Sequence, residues 1–257
     1  MKILRQISVT EKAKITRITK NTKRSVKDSL VNEIPLKIVV NGRKLLTLMC
    51  LPADLEDLVY GFLFSSGIIR KPADIKKLVI NKHTANVRLA ASCKIKNISS
   101  YKTYSSSGSK EITTLPKTPK IVTAFKISFS DITALMDKFL NTSGIYSKTG
   151  GVHSAALTDG RKILIFKDDV GRHNAIDKVI GCMLTKNIPF HNKAIITSGR
   201  ISSEIVSKIQ KCAIPVAISK SAVTTKAVVL AKKGGLTLVK ANKNSSLNVY
   251  CNETRMK

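Results

Sequence analysis

From about residue 121 to residue 241 the chain alternates between two kinds of apolar run, and this alternation constrains its fold more than any other feature. SFSDITALMDKFLNTSG spaces its apolar residues as a helix does, with Ser128 or Ser130 as its cap. Strand-like KILIFK (162–167) is followed by a helical run after Asn174, and KAIITS by a helix in SSEIVSKIQKCA. IPVAIS then precedes a helix in AVTTKAVVLAKKG, and LTLVKA closes the series. Three successive β-α units predict a mostly parallel sheet with helices on both faces, an α/β sandwich.

Such a sheet brings its strand ends and helix starts to one edge, where backbone N–H groups and helix dipoles favour anions. Three polar turns fall there: Asp168 to Asn174, Ser198 to Glu204, and Ser219 to Ser221. They place Arg172, His173, Arg200, Lys220 and the hydroxyls of Ser198 and Ser202 on one rim, which suits a phosphorylated ligand. Bland readings exist for parts of it. Asn174 can cap the helix, Asp177 can favour its positive end, and Ser-Gly-Arg can be a turn followed by a capping serine. None of these explains Arg172 or His173.

The first 120 residues differ in kind. After an extended basic run, EIPLKIVVNGRKLLTLMCLP holds two strand-like runs around Asn41 and Gly42, which supply the positive φ angles of a type I′ hairpin. DLEDLVYGFLFSSGII follows as a helix, and residues 86–91 read as another strand. Residues 92–120 are rich in Ser, Thr and Lys without periodicity, which predicts a long mobile loop. The division expected is a smaller N-terminal α+β domain (1–120) and an α/β domain (121–257).

Forty-five Lys and Arg against 16 Asp and Glu give a formal net charge of +29, a bias toward anionic partners of any kind. Aromatic residues make up only 5% of the chain and Trp is absent, so stacking platforms for nucleic acid are scarce. No apolar run approaches the roughly 20 residues of a membrane helix. The N-terminus lacks a signal-peptide pattern, and the five cysteines form no close pair, which fits a reducing cytoplasm.

TGGVHSAAL (149–157), DDVGRHNAIDKVIG (168–181), SGRISSEIVSK (198–208), EIPLKIVVNG and LMCLPADLEDLVYGFLFSSGII together resemble the FdhD family of formate dehydrogenase accessory proteins, collinearly from about residue 30 to Tyr250. The resemblance implies a C-terminal cytidine-deaminase-like three-layer α/β/α domain and a homodimer. It also implies a sulfurtransferase that takes sulfur from a cysteine desulfurase and delivers it to the bis-molybdopterin guanine dinucleotide cofactor of formate dehydrogenase. The cofactor site it implies combines His153, Arg172, His173, Asn174, Asp177, Ser198, Arg200 and Ser202 with a segment after the last core strand: Ala241, Asn242, Lys243, Asn244, Ser245 and Ser246. Asp177 and Glu204 are placed to orient the cations, or to favour helix N-termini.

The chain also departs from the family pattern. The family's sulfur-carrying cysteine lies in a Ser- and Gly-rich loop, but the matching stretch TYSSSGSKE has none, and Ser107 stands at about the expected place. A serine hydroxyl neither forms a persulfide nor ionises near neutral pH. The acidic residue of the family's GFLxxEG run is Ser66 here. Cys93, flanked by Lys94 and Lys96, is the best substitute thiol, because neighbouring cations lower a thiol pKa. Cys182 and Cys212 read as core residues, Cys50 as structural, and Cys251 as exposed. Zinc deamination is excluded, since no Glu stands two residues after His153 and no CxxC exists, and no metal site is expected. Three functions follow: a sulfurtransferase with a displaced cysteine, a cofactor-escort protein without persulfide chemistry, and, least supported, a basic nucleic-acid binder.

Overall fold

The computed structural model describes residues 7–91, 93, 120–242 and 246–257. Two strands, β1 (Thr10–Ile18) and β2 (Lys23–Val31), pair antiparallel as a separate two-stranded sheet. A four-stranded sheet follows in the order β4-β3-β6-β5, from β3 (Ile34–Val40), β4 (Arg43–Cys50), β5 (Ile75–Asn81) and β6 (Thr84–Leu89). Asn41 and Gly42, at φ 48° and 80°, turn β3 into β4 as the dipeptide predicts. Helix α1 (Leu55–Ser65) packs Leu58, Val59, Phe62 and Leu63 into the apolar cluster that lines this sheet's inner face.

The six-stranded sheet has the order β12-β11-β10-β9-β7-β8. Its strands are β7 (His153–Thr158), β8 (Ile163–Asp169), β9 (Ala194–Thr197), β10 (Val216–Ser219), β11 (Thr237–Ala241) and β12 (Leu247–Cys251). Helix α2 (Phe129–Leu140) covers one face. Helices α4 (Arg172–Thr185), α5 (Ser203–Lys211) and α6 (Thr225–Gly234) belong to the opposite core, while the short α3 (Gly144–Thr149) leads into β7. Period-two alternation separates the two cores: Ala155, Ile195, Ala217 and Leu238 join α4 to α6, whereas Ala156, Ile196, Val216, Ile218 and Val239 join Ile132, Leu135 and Phe139 of α2. This is the three-layer α/β/α arrangement.

Three expectations need correction. The sheet is mixed, with parallel pairing only between β9, β10 and β11, because β7 inserts antiparallel between β8 and β9, and β12 adds an antiparallel edge. Asn174 is not the cap of α4: the helix begins at Arg172 behind Gly171, which leaves Asn174 buried in the first turn. Cys251 is buried, its thiol donating to the Leu236 carbonyl at 3.2 Å.

The two sheets fall in the two halves of the sequence, yet one apolar cluster runs from Ile34 of β3 through α1 and α4 to Leu238 of β11. Glycines bring α1 and α4 into backbone contact. A Cβ on Gly61 would lie 1.7 Å from the Asp177 carbonyl oxygen, and one on Gly181 would lie 1.8 Å from that of Asp57.

Candidate functional site

Since β7 runs opposite to both β8 and β9, strand β8 runs in the direction of β9, β10 and β11. The ends of those four strands therefore share an edge with the start of β7, where His153 pairs with Asp169, and the start of β12, where Leu247 pairs with Ala241. The rim inferred from the alternation survives the mixed topology for this reason.

At the β8-to-α4 turn the polar residues divide into two groups. Asp169 is fully buried. Its Oδ2 lies 2.7 Å from Lys178 Nζ and accepts from the Leu51 amide at 3.2 Å, while its Oδ1 accepts from the Gly171 amide and from Asn174 Nδ2, both at 2.9 Å. Asn174 Nδ2 also donates to the Met49 carbonyl at 2.8 Å, and Lys178 Nζ to that of Asp168 at 3.1 Å. Asp169, Asn174 and Lys178 thus fasten the helix start to the end of β4. Asp177 lies apart from the rim, buried between α1, α4 and α5, with Lys208 Nζ at 2.7 Å and Ser65 Oγ at 2.8 Å. Its role is interhelical.

Arg172 and His173 are left facing the rim. Arg172 rests on Gly199, where a Cβ would come within 2.7 Å of the arginine's own Cβ, so glycine is required for this packing. Ser198 Oγ accepts from the Ser154 amide at 2.9 Å and lies 3.5 Å from His153 Nδ1. Ser219 Oγ donates to the Gly199 carbonyl at 2.8 Å, which ties the β9 turn to the β10 turn. Arg200 and Lys220 are exposed, the latter with its ammonium 5.5 Å from the ring centre of Tyr146 on α3. Beyond them, Asn242 closes the β11–β12 turn by donating from Nδ2 to Ser246 Oγ and Asn248 Oδ1 at 3.0 Å. Lys243, Asn244, Ser245 and the loop position Ser107 lie outside the described residues.

Three buried polar atoms on this rim lack a hydrogen-bond partner among the described residues: Arg172 Nε, His173 Nε2 and Ser202 Oγ. Glu204 Oε2 comes within 3.1 Å of His173 Nε2, out of line for a hydrogen bond, and places a carboxylate beside the imidazole. Ser202 precedes α5 without bonding the helix N–H groups, contrary to the simple capping reading. Buried polar groups are nearly always paired, and these three belong to the starts of α4 and α5, Arg172 and His173 in the first turn of one and Ser202 just before the other. Among the described residues no three His, Cys, Asp or Glu side chains gather as a metal site would require.

The cations of the rim act on one another. Burial, and then the charge of Arg200, push the Arg172 guanidinium below its ordinary pKa, with Glu204 opposing. Burial chiefly, followed by Arg172, His173 and Arg200, holds the His153 imidazole below its ordinary 6.5, with Asp169 opposing. Because the folded pKa lies below the unfolded one, the unfolded chain binds the proton more readily. The contribution of neutral His153 to stability is therefore complete above pH 6.5 and is lost as pH falls through the depressed folded value. Urea midpoints measured from pH 7.5 downward will decline through this window, and His153→Gln will flatten the decline.

The thiols give a different picture from the one expected. Cys93 is half-buried, its Sγ donates to the Ile68 carbonyl at 3.3 Å, and burial followed by Asp74 raises its pKa, with Arg70 opposing. The activation expected from flanking lysines is not what its described surroundings produce. Cys50, Cys182, Cys212 and Cys251 are buried, with burial pushing each thiol up, Cys50 to about 12.

The sequence model of the FdhD/NarQ family matches residues 31–257. The chain belongs to the FdhD/NarQ family. Among curated relatives it is 36% identical over 250 residues to the sulfur carrier protein FdhD of Bacillus subtilis, covering 90% of this chain and 92% of that one. It is 37% identical over 247 residues to the sulfur carrier protein FdhD of Listeria monocytogenes, covering 92% and 95%. A solved structure described as a formate dehydrogenase accessory protein, from Desulfotalea psychrophila, superposes with a TM-score of 0.81 at 25% identity, covering 97% of this chain and all of that one. The family match spans the whole rim and the α1–α4 contact. Among the described residues no helix is long and apolar enough to cross a membrane.

Sequence reasoning named most of the rim but missed Asp169 and Lys178 as its anchors. The available signal was a lysine inside the apolar stripe of α4, six residues after Arg172.

Proposed function

We propose that this protein is a formate dehydrogenase accessory protein that binds the bis-molybdopterin guanine dinucleotide cofactor, as its cargo, at the rim of the six-stranded sheet. The observation that carries this reading is the gathering of Arg172, His173 and the exposed Arg200 around His153 at the starts of α4 and α5. Arginine donates to phosphate oxygens from a planar fork, a serine hydroxyl and an imidazole N–H add further donors, and the α4 and α5 N-termini add positive dipole ends. Phosphate oxygens are acceptors suited to such a set of donors.

Sulfur transfer from a cysteine desulfurase, the activity implied by the family, requires a thiolate. The loop has no cysteine, four of the five thiols are buried, and Cys93 alone is partly accessible. The escort reading, in which the cofactor is held without a persulfide on this chain, therefore has specific support. The cytoplasm is the compartment in which these partners and free thiols fit together.

Titration with GDP tests the site. We expect binding to the wild type and a loss of about 10- to 100-fold in Arg172→Gln, the range for deleting a hydrogen bond to a charged group. Absence of GDP binding, or equal affinity in the variant, overturns the assignment. Mass spectrometry after incubation with a cysteine desulfurase and cysteine decides the chemistry: an added sulfur on Cys93 restores the relay, and an unmodified chain that still binds GDP supports escort.

A further inference from the structure

The outer face of the four-stranded sheet carries a second concentration of positive charge, away from the rim. Residues 34–50 and 75–89, which hold its four strands, contain seven Lys and Arg and no Asp or Glu. The inner residues Ala85, Val87 and Leu89 face the α1 core, so the alternating Asn86 and Arg88 face outward. An open cavity of about 820 Å³ lies there, lined among others by Asn41, Lys76, Lys77, Asn86, Arg88 and Ala91.

Two features of this surface oppose ordinary sheet stability. Lys77 stands directly across from Arg88, and like charges in that position repel. Lys76 is the extra residue of a β-bulge, since the register passes from Ile75 opposite Leu89 to Lys77 opposite Arg88. A bulge breaks the strict alternation of side chains, and here it leaves two successive lysines exposed at the cavity, where a regular strand would turn one inward. None of the three cations takes part in an ion pair among the described residues. The Asn41–Gly42 turn closes one wall, its position fixed by the Asn41 amide donating to the Val87 carbonyl at 2.9 Å and by Asn41 Oδ1 accepting from the Leu89 amide at 2.9 Å.

We propose that this cavity is an anion site for a polyphosphorylated small molecule, separate from the rim. Its size is that of a small-ligand site. Three convergent cations call for a multivalent anion. Among the described residues its lining has no aromatic side chain on which single-stranded nucleic acid could stack, which favours a compact polyphosphate.

Amide NMR of the full-length protein titrated with inorganic tripolyphosphate is the test. The expected result is saturable shifts at Lys76, Lys77, Asn86 and Arg88, with affinity weakened about tenfold or more in Lys77→Gln/Arg88→Gln, as for loss of charge-assisted contacts. The shifts at Gly171 to His173 should survive in that variant, which separates this site from the rim. If the double variant fails to fold, Lys76→Gln alone must still weaken the Asn86 shift. The proposal fails if tripolyphosphate leaves these amides unmoved, if the variants bind unchanged, or if only an oligonucleotide shifts them, which would make the face a nucleic-acid surface.

Discussion

Lys178→Met will lower the free energy of unfolding by about 3–5 kcal/mol in a urea titration, the cost of removing one partner of a buried ion pair. Both members, Lys178 and Asp169, have no solvent exposure, and their atoms approach to 2.7 Å. Methionine matches the lysine stem in volume, so the loss reports the charge and not a cavity. The carboxylate would still accept from the Leu51 amide, the Gly171 amide and Asn174 Nδ2. Asp169→Leu should cost at least as much, because it leaves a buried ammonium with only the carbonyls of Leu51 and Asp168, strips the Leu51 and Gly171 amides of their acceptor, and leaves Asn174 Nδ2 with the Met49 carbonyl alone. GDP binding should weaken in parallel, since this network fixes the first turn of α4, from which Arg172 and His173 project. A Lys178→Met protein of unchanged stability would show that the network does not hold the turn.

Gly181→Ala will destabilise by about 3 kcal/mol or more, at the upper end for overpacking. Helix propensity favours the substitution by roughly 1 kcal/mol, because alanine loses less backbone freedom than glycine. Sterics wins. The added methyl would meet the Asp57 carbonyl oxygen at 1.8 Å, and the obstacle is backbone, which has no rotamer by which to yield. Gly61→Ala creates the reciprocal clash at 1.7 Å with the Asp177 carbonyl oxygen. Either variant must push α1 and α4 apart, and with them the apolar cluster that both halves of the chain share. Melting temperatures near that of the wild type would mean that the helices separate at little cost.

The α/β alternation was legible because β9, β10 and β11 are short apolar runs, buried on both faces, between helices with a plain stripe. Strand β7 escaped notice. HSAALT is built from small residues with weak strand preference, and it takes a strand only because β8 and β9 both bond to it. The β1–β2 ribbon was equally hidden, since its alternation is masked by charge: Lys14 lies opposite Lys27 and Arg17 opposite Arg24. In the site, Arg172, His173, Arg200 and Ser198 were readable from spacing, because the end of a strand before a helix fixes an edge.

What the sequence by itself determined was local: periodicities, the Asn41–Gly42 turn, the positions of strand ends, and a family pattern that lacks its loop cysteine. Only the tertiary structure decided which polar residues of GRHNAIDK are tied into the core and which face the rim. Asn174 and Lys178 find their partners at Met49 and Leu51, and Asp177 finds one at Ser65, all more than 100 residues away in the chain. Pairing across such a span follows from packing that no local pattern encodes, and it leaves Arg172 and His173 to face the rim.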